Sequence, residues 1–131
     1  MSMPASENRL NRGRALSWIH ANYTRAIRLK EGAMVAAMSP FHFCRVFKAE
    51  VGLSFCQYVT RLRVERVKEL LRESRKSVMD IALEVGFFDL SHLYRAFRRS
   101  TGRSPCAWRR AALSRTPSNF DISESQERPR R

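Results

Sequence analysis

The chain has 131 residues, with 25 Lys and Arg against 12 Asp and Glu, so its formal net charge is +13. A hydrophobic content of 44% excludes a chain that is disordered throughout, and the length allows one small domain or two very small units. The excess of positive charge predicts a polyanionic partner, most simply nucleic acid and less simply an anionic membrane surface.

The two ends of the chain differ from its middle. Residues 1–12 are polar, and residues 114–131 combine Pro, Ser and mixed charge without periodicity, so we predict a flexible N-terminal arm and a flexible C-terminal tail. The first 15 residues contain no apolar run that could serve as a signal peptide, and no later stretch approaches the 18 or so apolar residues of a membrane span. We therefore expect a cytoplasmic protein with no membrane partner.

The first helical pattern lies within residues 13–53, which we predict to be one helix-turn-helix subdomain. Residues 30–36 favour a short leading helix, Ser39 is a good N-cap, and Pro40 suits the first turn of the next helix. Phe43 and Phe47 are four residues apart and face the core. The second helix of this pair is predicted over about residues 39–50.

Residues 54–73 read as one connecting helix. Its apolar stripe consists of Phe55, Val59, Leu62, Val67, Leu70 and Leu71. At about 1.5 Å per residue the helix spans roughly 30 Å. This length is similar to the separation of about 34 Å between successive major-groove faces of B-DNA.

Residues 74–113 repeat the helix-turn-helix pattern. Ser77 begins a capping sequence, apolar residues recur at helical spacing, and Gly86 ends that helix. Asp89 is the predicted N-cap of the next helix, over about residues 89–100, and Gly102 ends it.

An internal repeat links the two subdomains. With an offset of 50 residues, identical residues coincide at His42/His92, Arg45/Arg95, Phe47/Phe97, Gly52/Gly102, Ser54/Ser104 and Cys56/Cys106. Two such units are too few for a solenoid, which usually needs about three repeats. The predicted fold class is therefore all-α, with two helix-turn-helix subdomains joined by a long central helix.

The first predicted reading helix has a polar outward face opposite its two core phenylalanines. Arg45 can bind a guanine edge and Phe41 can pack on a thymine methyl, while Lys48 and Ser39 are placed to contact phosphates. Cys44 lies between them as a small residue. The alternatives are a salt bridge from Arg45 to Glu50, a Phe41 ring tucked against the preceding helix, and a face that is simply solvated.

The comparable face of the second helix carries Leu90, Ser91, Tyr94 and Arg95 as candidate base readers, followed by Arg98 and Arg99 as phosphate contacts.

The recurring His and Cys residues favour structural roles. His42 and Cys44 would supply only two metal ligands, so packed imidazoles are favoured at His42 and His92 over a metal or catalytic site. Cys56 and Cys106 are interpreted as buried, reduced fillers. No catalytic triad, carboxylate pair or phosphate-binding glycine loop is present, so we expect no enzyme, no metal and no cofactor.

Residues 77–110 closely resemble the signature of the AraC/XylS family of bacterial transcription regulators. The matching pattern is I-A-x-x-V-G-F-x-D-x-S-H-L-x-R-x-F-[KR]-x-x-x-G-x-S-P, and the resemblance extends over about residues 14–112. It implies that each second helix enters the major groove of double-stranded promoter DNA. The family's base-facing positions fall on Phe41, Cys44 and Arg45 in the first half and on Leu90, Ser91, Tyr94 and Arg95 in the second.

The resemblance further implies an activator that contacts RNA polymerase on the bacterial nucleoid. The chain is similar in size to stand-alone members of the family, which bind asymmetric sites as monomers. The alternatives are an excised DNA-binding module of a larger ligand-responsive regulator, a non-specific basic nucleic-acid-binding protein, and an interaction module for RNA polymerase.

Two residues of the first half depart from the family pattern. Gly32 stands where the family usually has Leu, and a glycine inside a helix costs about 1 kcal/mol relative to Ala. Ala37 occupies a turn position that commonly carries Gly. Both changes predict a looser first subdomain, or one that docks differently.

Overall fold

The computed structural model describes residues 5–113, in which all regular secondary structure is helical and no strand occurs. The helices are α1 (Ala5–Asn22), α2 (Leu29–Val35), α3 (Pro40–Val51), α4 (Phe55–Glu73), α5 (Val78–Val85), α6 (Leu90–Thr101) and α7 (Pro105–Leu113). The chain forms two compact units, and the boundary between Arg63 and Val64 lies inside α4. The predicted all-α fold class is confirmed.

The core of the first unit is built around three phenylalanine rings. Phe43, Phe47 and Phe55 are almost fully buried, and their ring centroids lie 5.5–6.0 Å apart. The remaining buried residues of this core are Ala15, Ile19, Ala33, Ala36 and Val59. Phe43 and Phe47 therefore face the core, as their spacing predicts.

Gly32 is a close-packing position in this unit. A Cβ atom on Gly32 would lie 3.1 Å from the ring of Phe55 and 3.2 Å from the ring of Phe43. Both rings occupy the space that a larger side chain at position 32 would need. The glycine therefore costs helix propensity but permits the aromatic core to close over α2.

The turn between α2 and α3 contains a strained residue. Ala37 has φ of +60°, in the left-handed region that residues with a Cβ atom rarely adopt. Met38 and then the N-cap Ser39 follow it, and the Ser39 hydroxyl accepts a hydrogen bond from the His42 N–H at 3.2 Å. The α2–α3 turn thus has the expected cap and a left-handed residue that carries a side chain.

The corresponding turn of the second unit uses glycine. Gly86 has φ of +107° and ends α5, and two residues separate it from Asp89, whose carboxylate accepts the His92 N–H at 2.8 Å. Ser77 caps α5 by accepting the Asp80 N–H. The predicted caps at Ser77 and Asp89 and the predicted helix ends at Gly86 and Gly102 are confirmed.

The core of the second unit is mainly aliphatic. Its buried residues are Val64, Val67, Leu70, Leu71, Ile81, Ala82, Val85, Phe87, Leu93, Ala96 and Phe97. Trp108 of α7 packs edge-on against Phe97, with ring centroids 5.8 Å apart. The α7 helix therefore covers one side of α6.

In each unit an arginine side chain binds backbone carbonyls in the segment that precedes the helix-turn-helix pair. Arg63 donates to the carbonyls of Tyr23 and Arg25 at 2.7 and 2.9 Å. Burial lowers the pKa of Arg63, although a guanidinium group remains charged in proteins. The second such arginine is Arg109, which donates to the carbonyls of Leu71, Ser74 and Lys76 at 2.9–3.1 Å. These bonds fix the segments that lead into α2 and α5.

The structure changes the predicted organisation at the N-terminus. Helix α1 already begins at Ala5, so residues 5–12 are helical where the sequence predicts a flexible arm. The predicted tail, residues 114–131, lies outside the described residues. The connecting helix begins at Phe55, one residue after Ser54, which exchanges capping hydrogen bonds with Gln57.

Candidate nucleic-acid interface

The outward face of α3 carries the residues that the sequence assigns to base reading. Phe43 and Phe47 fix which side of the helix is buried, and the opposite side leaves Phe41, Cys44 and Arg45 exposed. Lys48 is exposed one turn further along. The Ser39 hydroxyl oxygen accepts the capping hydrogen bond from the His42 N–H. Its own proton would be the group that a phosphate could bind.

Phe41 and Arg45 form a stacked pair on this face. The Phe41 ring is 73% exposed, and the guanidinium carbon of Arg45 lies 5.7 Å from the centroid of the ring. Arg45 therefore has an aromatic partner on the same face, and Phe41 is not tucked against α2. A guanidinium stacked on a ring keeps the N–H groups at its edge available for a bidentate contact.

The outward face of α6 exposes all but one of the residues that the sequence predicts there. Leu93, Ala96 and Phe97 point into the core, and Ser91, Tyr94, Arg95, Arg98 and Arg99 are exposed. Leu90 differs from the prediction, because its side chain is half-buried and packs against the core of the unit. The first turn of α6 therefore offers Ser91 rather than Leu90 to a ligand.

Tyr94 is the aromatic residue on the α6 face. It is 39% exposed, and partial burial, with a smaller contribution from the Cys106 thiol, raises the pKa of its phenol. The hydroxyl is therefore protonated at neutral pH and can donate a hydrogen bond.

The interpretation of two cysteines is wrong. The sequence predicts Cys56 and Cys106 to be buried fillers, but both are exposed, because they lie in the first turns of α4 and α7 on the side away from each core. The buried positions of those turns belong to their neighbours Phe55 and Pro105. Cys44 is exposed on the α3 face, as predicted.

The two recurring histidines lie beside the turns. The imidazole of His92 packs edge-on against Phe87 at 5.1 Å, and His42 is half-buried at the repeat-equivalent position. No group of three or more His, Cys, Asp or Glu residues within 5–113 could hold a metal ion. No helix in the described part of the chain is long and apolar enough to cross a membrane.

The C-terminal end of α6 is more basic than that of α3. Arg98, Arg99 and Arg103 are all exposed. At the equivalent positions the first unit has Lys48, Ala49 and Leu53. Arg103 is not among the residues that the sequence analysis assigns to phosphates. The repeat does contain a signal for it, because the equivalent position of the first unit holds the uncharged Leu53.

These features agree with the comparisons to known proteins. A family model described as a helix-turn-helix domain matches residues 33–111, which is more than half of the chain. The chain belongs to the AraC-type helix-turn-helix family. Its members are DNA-binding transcription regulators, and the resemblance found in the sequence is confirmed.

Three relatives show the extent of the likeness. The HTH-type transcriptional regulator Rv1931c of Mycobacterium tuberculosis is 43% identical over 86 residues, which are 66% of this chain and 33% of that protein. The HTH-type transcriptional activator RhaS of Klebsiella pneumoniae is 33% identical over 101 residues, 77% of this chain and 36% of that protein. The DNA-binding domain of AdpA, a global transcriptional factor solved in complex with a target DNA, is 30% identical with a TM-score of 0.76. That match covers 81% of this chain and 96% of the AdpA domain.

The likeness to the curated relatives is confined to one part of them. This AraC-type chain spans about a third of the length of Rv1931c and RhaS. The shared part is the helix-turn-helix region, to which both α3 and α6 belong.

Proposed function

We propose that this AraC-type chain binds specific sites in double-stranded promoter DNA, with α3 and α6 in successive major grooves, and regulates transcription as an activator. The observation that carries the proposal is the repeat itself. Arg45 and Arg95 lie at equivalent positions, and both side chains are exposed on the outward faces of the second helices. A bidentate arginine is the commonest specific reader of guanine.

The base contacts follow from the exposed side chains. Arg45, held on the ring of Phe41, reads a guanine, and Phe41 packs on a neighbouring thymine methyl. Arg95 reads a base in the second half-site, and Tyr94 donates a hydrogen bond or packs on a methyl group. Cys44 and Ser91 line the same faces as small residues.

Phosphate contacts supply the affinity that does not depend on sequence. The residues proposed for this role are Ser39, Lys48, Arg98 and Arg99. Because each neutralised phosphate releases condensed counterions, the affinity should fall steeply with salt concentration.

The length of α4 supports two reading helices on one chain. It has 19 residues, begins in the first unit and ends in the second. At about 1.5 Å per residue it rises about 28 Å, similar to one turn of B-DNA. A monomer could therefore occupy an asymmetric site without a second copy.

The regulatory output rests on the relatives. RhaS is named a transcriptional activator, and we propose activation with RNA polymerase as the protein partner, on chromosomal DNA in the bacterial cytoplasm. Because the chain spans about a third of the curated relatives, a DNA-binding module of a longer ligand-responsive regulator is the second candidate.

The test is selection of bound duplexes from a random pool at near-physiological salt, followed by footprinting of the selected sites. An asymmetric site of about 20 bp with two blocks one helical turn apart supports the proposal. A single block would assign reading to one helix only. The absence of any enriched sequence would refute specific recognition and favour charge-driven binding by a chain of net charge +13.

A further inference from the structure

The residue that precedes the N-cap of the reading helix behaves differently in the two units. In the first unit it is Met38, which is half-buried and packs against the aromatic core. In the second unit it is Phe88, whose ring is 71% exposed. A hydrophobic residue at this position usually packs against the residue five positions later, which here is the buried Leu93. Phe88 does not follow that rule.

The length of the turn explains the exposure of Phe88. A single residue, Met38, separates the left-handed Ala37 from the N-cap Ser39. Two residues, Phe87 and Phe88, separate the left-handed Gly86 from the N-cap Asp89.

Phe87 already fills the core beside α6. It is 1% exposed, and its ring packs against His92. The extra residue therefore points outward, and none of the ring contacts found within 5–113 involves Phe88. Its exposure is a consequence of the turn and not of a loosely packed core.

The position of the Phe88 ring beside α6 indicates which kind of partner it contacts. The N-terminal residues of a reading helix are those that contact base edges in the major groove. Phe88 lies directly before that end of α6, and Arg95, Arg98 and Arg99 are exposed along the same helix. Those cations favour a polyanionic partner over an apolar one. Within the major groove the apolar group available to a phenyl ring is the 5-methyl of thymine.

We propose that Phe88 is a specificity-determining residue that packs on a thymine methyl group in the second half-site. This inference rests on the proposed function, because it requires α6 to enter the major groove. It also predicts an asymmetry between half-sites. Phe41 lies four residues before Arg45 and inside α3, whereas Phe88 lies seven residues before Arg95 and outside α6. The thymine should thus lie further from the arginine-read base in the second half-site than in the first.

The experiment measures the affinity of the full chain for a selected duplex in which each thymine is replaced in turn by uracil, which lacks only the methyl group. For the unsubstituted protein, removing the methyl under Phe88 should weaken binding about fourfold, equivalent to about 0.8 kcal/mol for one methyl-sized group. In the Phe88→Ala variant, replacing that one thymine with uracil should no longer weaken binding, whereas replacing any other contacted thymine should have the same effect as in the unsubstituted protein. Phe88→Leu, which keeps an apolar side chain, should retain part of it.

Two further variants serve as controls. Met79→Ala removes another exposed apolar side chain of the same unit, from α5, and should leave every thymine sensitivity unchanged. Phe41→Ala should lose the sensitivity at a thymine of the first half-site. Thermal unfolding of each variant establishes that the fold is intact, as expected for substitutions of exposed side chains.

The outcomes separate the inference from the proposed function. If the chain selects a sequence but Phe88→Ala keeps the full pattern of uracil sensitivity, the inference is refuted and the proposed function stands. The same conclusion holds if that variant loses transcriptional activity while its sensitivity pattern is unchanged, because the ring would then contact a protein. If the unsubstituted chain selects no sequence, the proposed function itself fails.

Discussion

Replacing Ala37 with glycine should stabilise the protein, although glycine normally weakens helical proteins. Ala37 is held at φ of +60°, and the left-handed conformation costs an L-residue with a Cβ about 1–2 kcal/mol. Glycine removes that cost, but it also raises the conformational entropy of the unfolded chain, which lowers the free energy of unfolding by about 0.4–1 kcal/mol. The expected net gain in the free energy of unfolding is therefore about 0.5–1 kcal/mol. For a domain of this size it corresponds to a rise in Tm of about 2–6 °C.

The assay is thermal unfolding of the full chain, followed by far-ultraviolet circular dichroism. Two control variants exchange the same two residue types, alanine and glycine, at positions with other backbone conformations. Ala49→Gly, at an exposed position inside α3, should lower the stability by about 1 kcal/mol. Gly86→Ala places a Cβ at φ of +107° and should also destabilise the protein. If Ala37→Gly lowers the Tm as Ala49→Gly does, the turn is not strained and the argument from its backbone conformation is wrong.

Four other substitutions test the interface and the contacts that support it. Arg45→Ala and Arg95→Ala should each weaken binding to the selected site by about 1–3 kcal/mol and relax the base preference at one position; equal losses on random DNA would reassign that arginine to phosphate. Arg98→Ala should weaken binding to all sequences and reduce the slope of log K against log salt by about 0.9, and an unchanged slope would remove Arg98 from the phosphate contacts. Arg109→Met removes hydrogen bonds to three carbonyls, so the free energy of unfolding should fall by about 2 kcal/mol or more, measured in guanidinium. A fall no larger than that of an exposed arginine such as Arg99 would contradict this role.

Much of the fold could be predicted because its signals are local. Ser39, Ser77 and Asp89 are followed by helical periodicity, so the caps and the helix starts follow from a few adjacent residues. The offset of 50 residues then relates one helix pair to the other. The exposed faces of α3 and α6 were predictable for the same reason, because the buried phenylalanines determine which side remains outside.

The features that the sequence did not predict depend on contacts between distant residues. Arg63 and Arg109 bind carbonyls 33 to 40 positions earlier in the chain, and no local pattern distinguishes them from other arginines. The exposure of Cys56 depends on which side of α4 the core covers, and not on its place in the repeat. In the sequence, Gly32 indicates only a loss of helix propensity, because the rings of Phe43 and Phe55 that lie against it belong to other helices.

The carbonyl contacts of Arg109 bear on the order in which the second unit is completed during synthesis. The chain emerges from the ribosome from its N-terminus, so α5 and α6 are made before the arginine that fixes the segment leading into them. A nascent chain that ends before position 109 already has Arg95 and Tyr94 but lacks the hydrogen bonds that hold the carbonyls of Ser74 and Lys76. Full DNA affinity should therefore appear only after α7 has been translated, well after the last proposed base-reading residue.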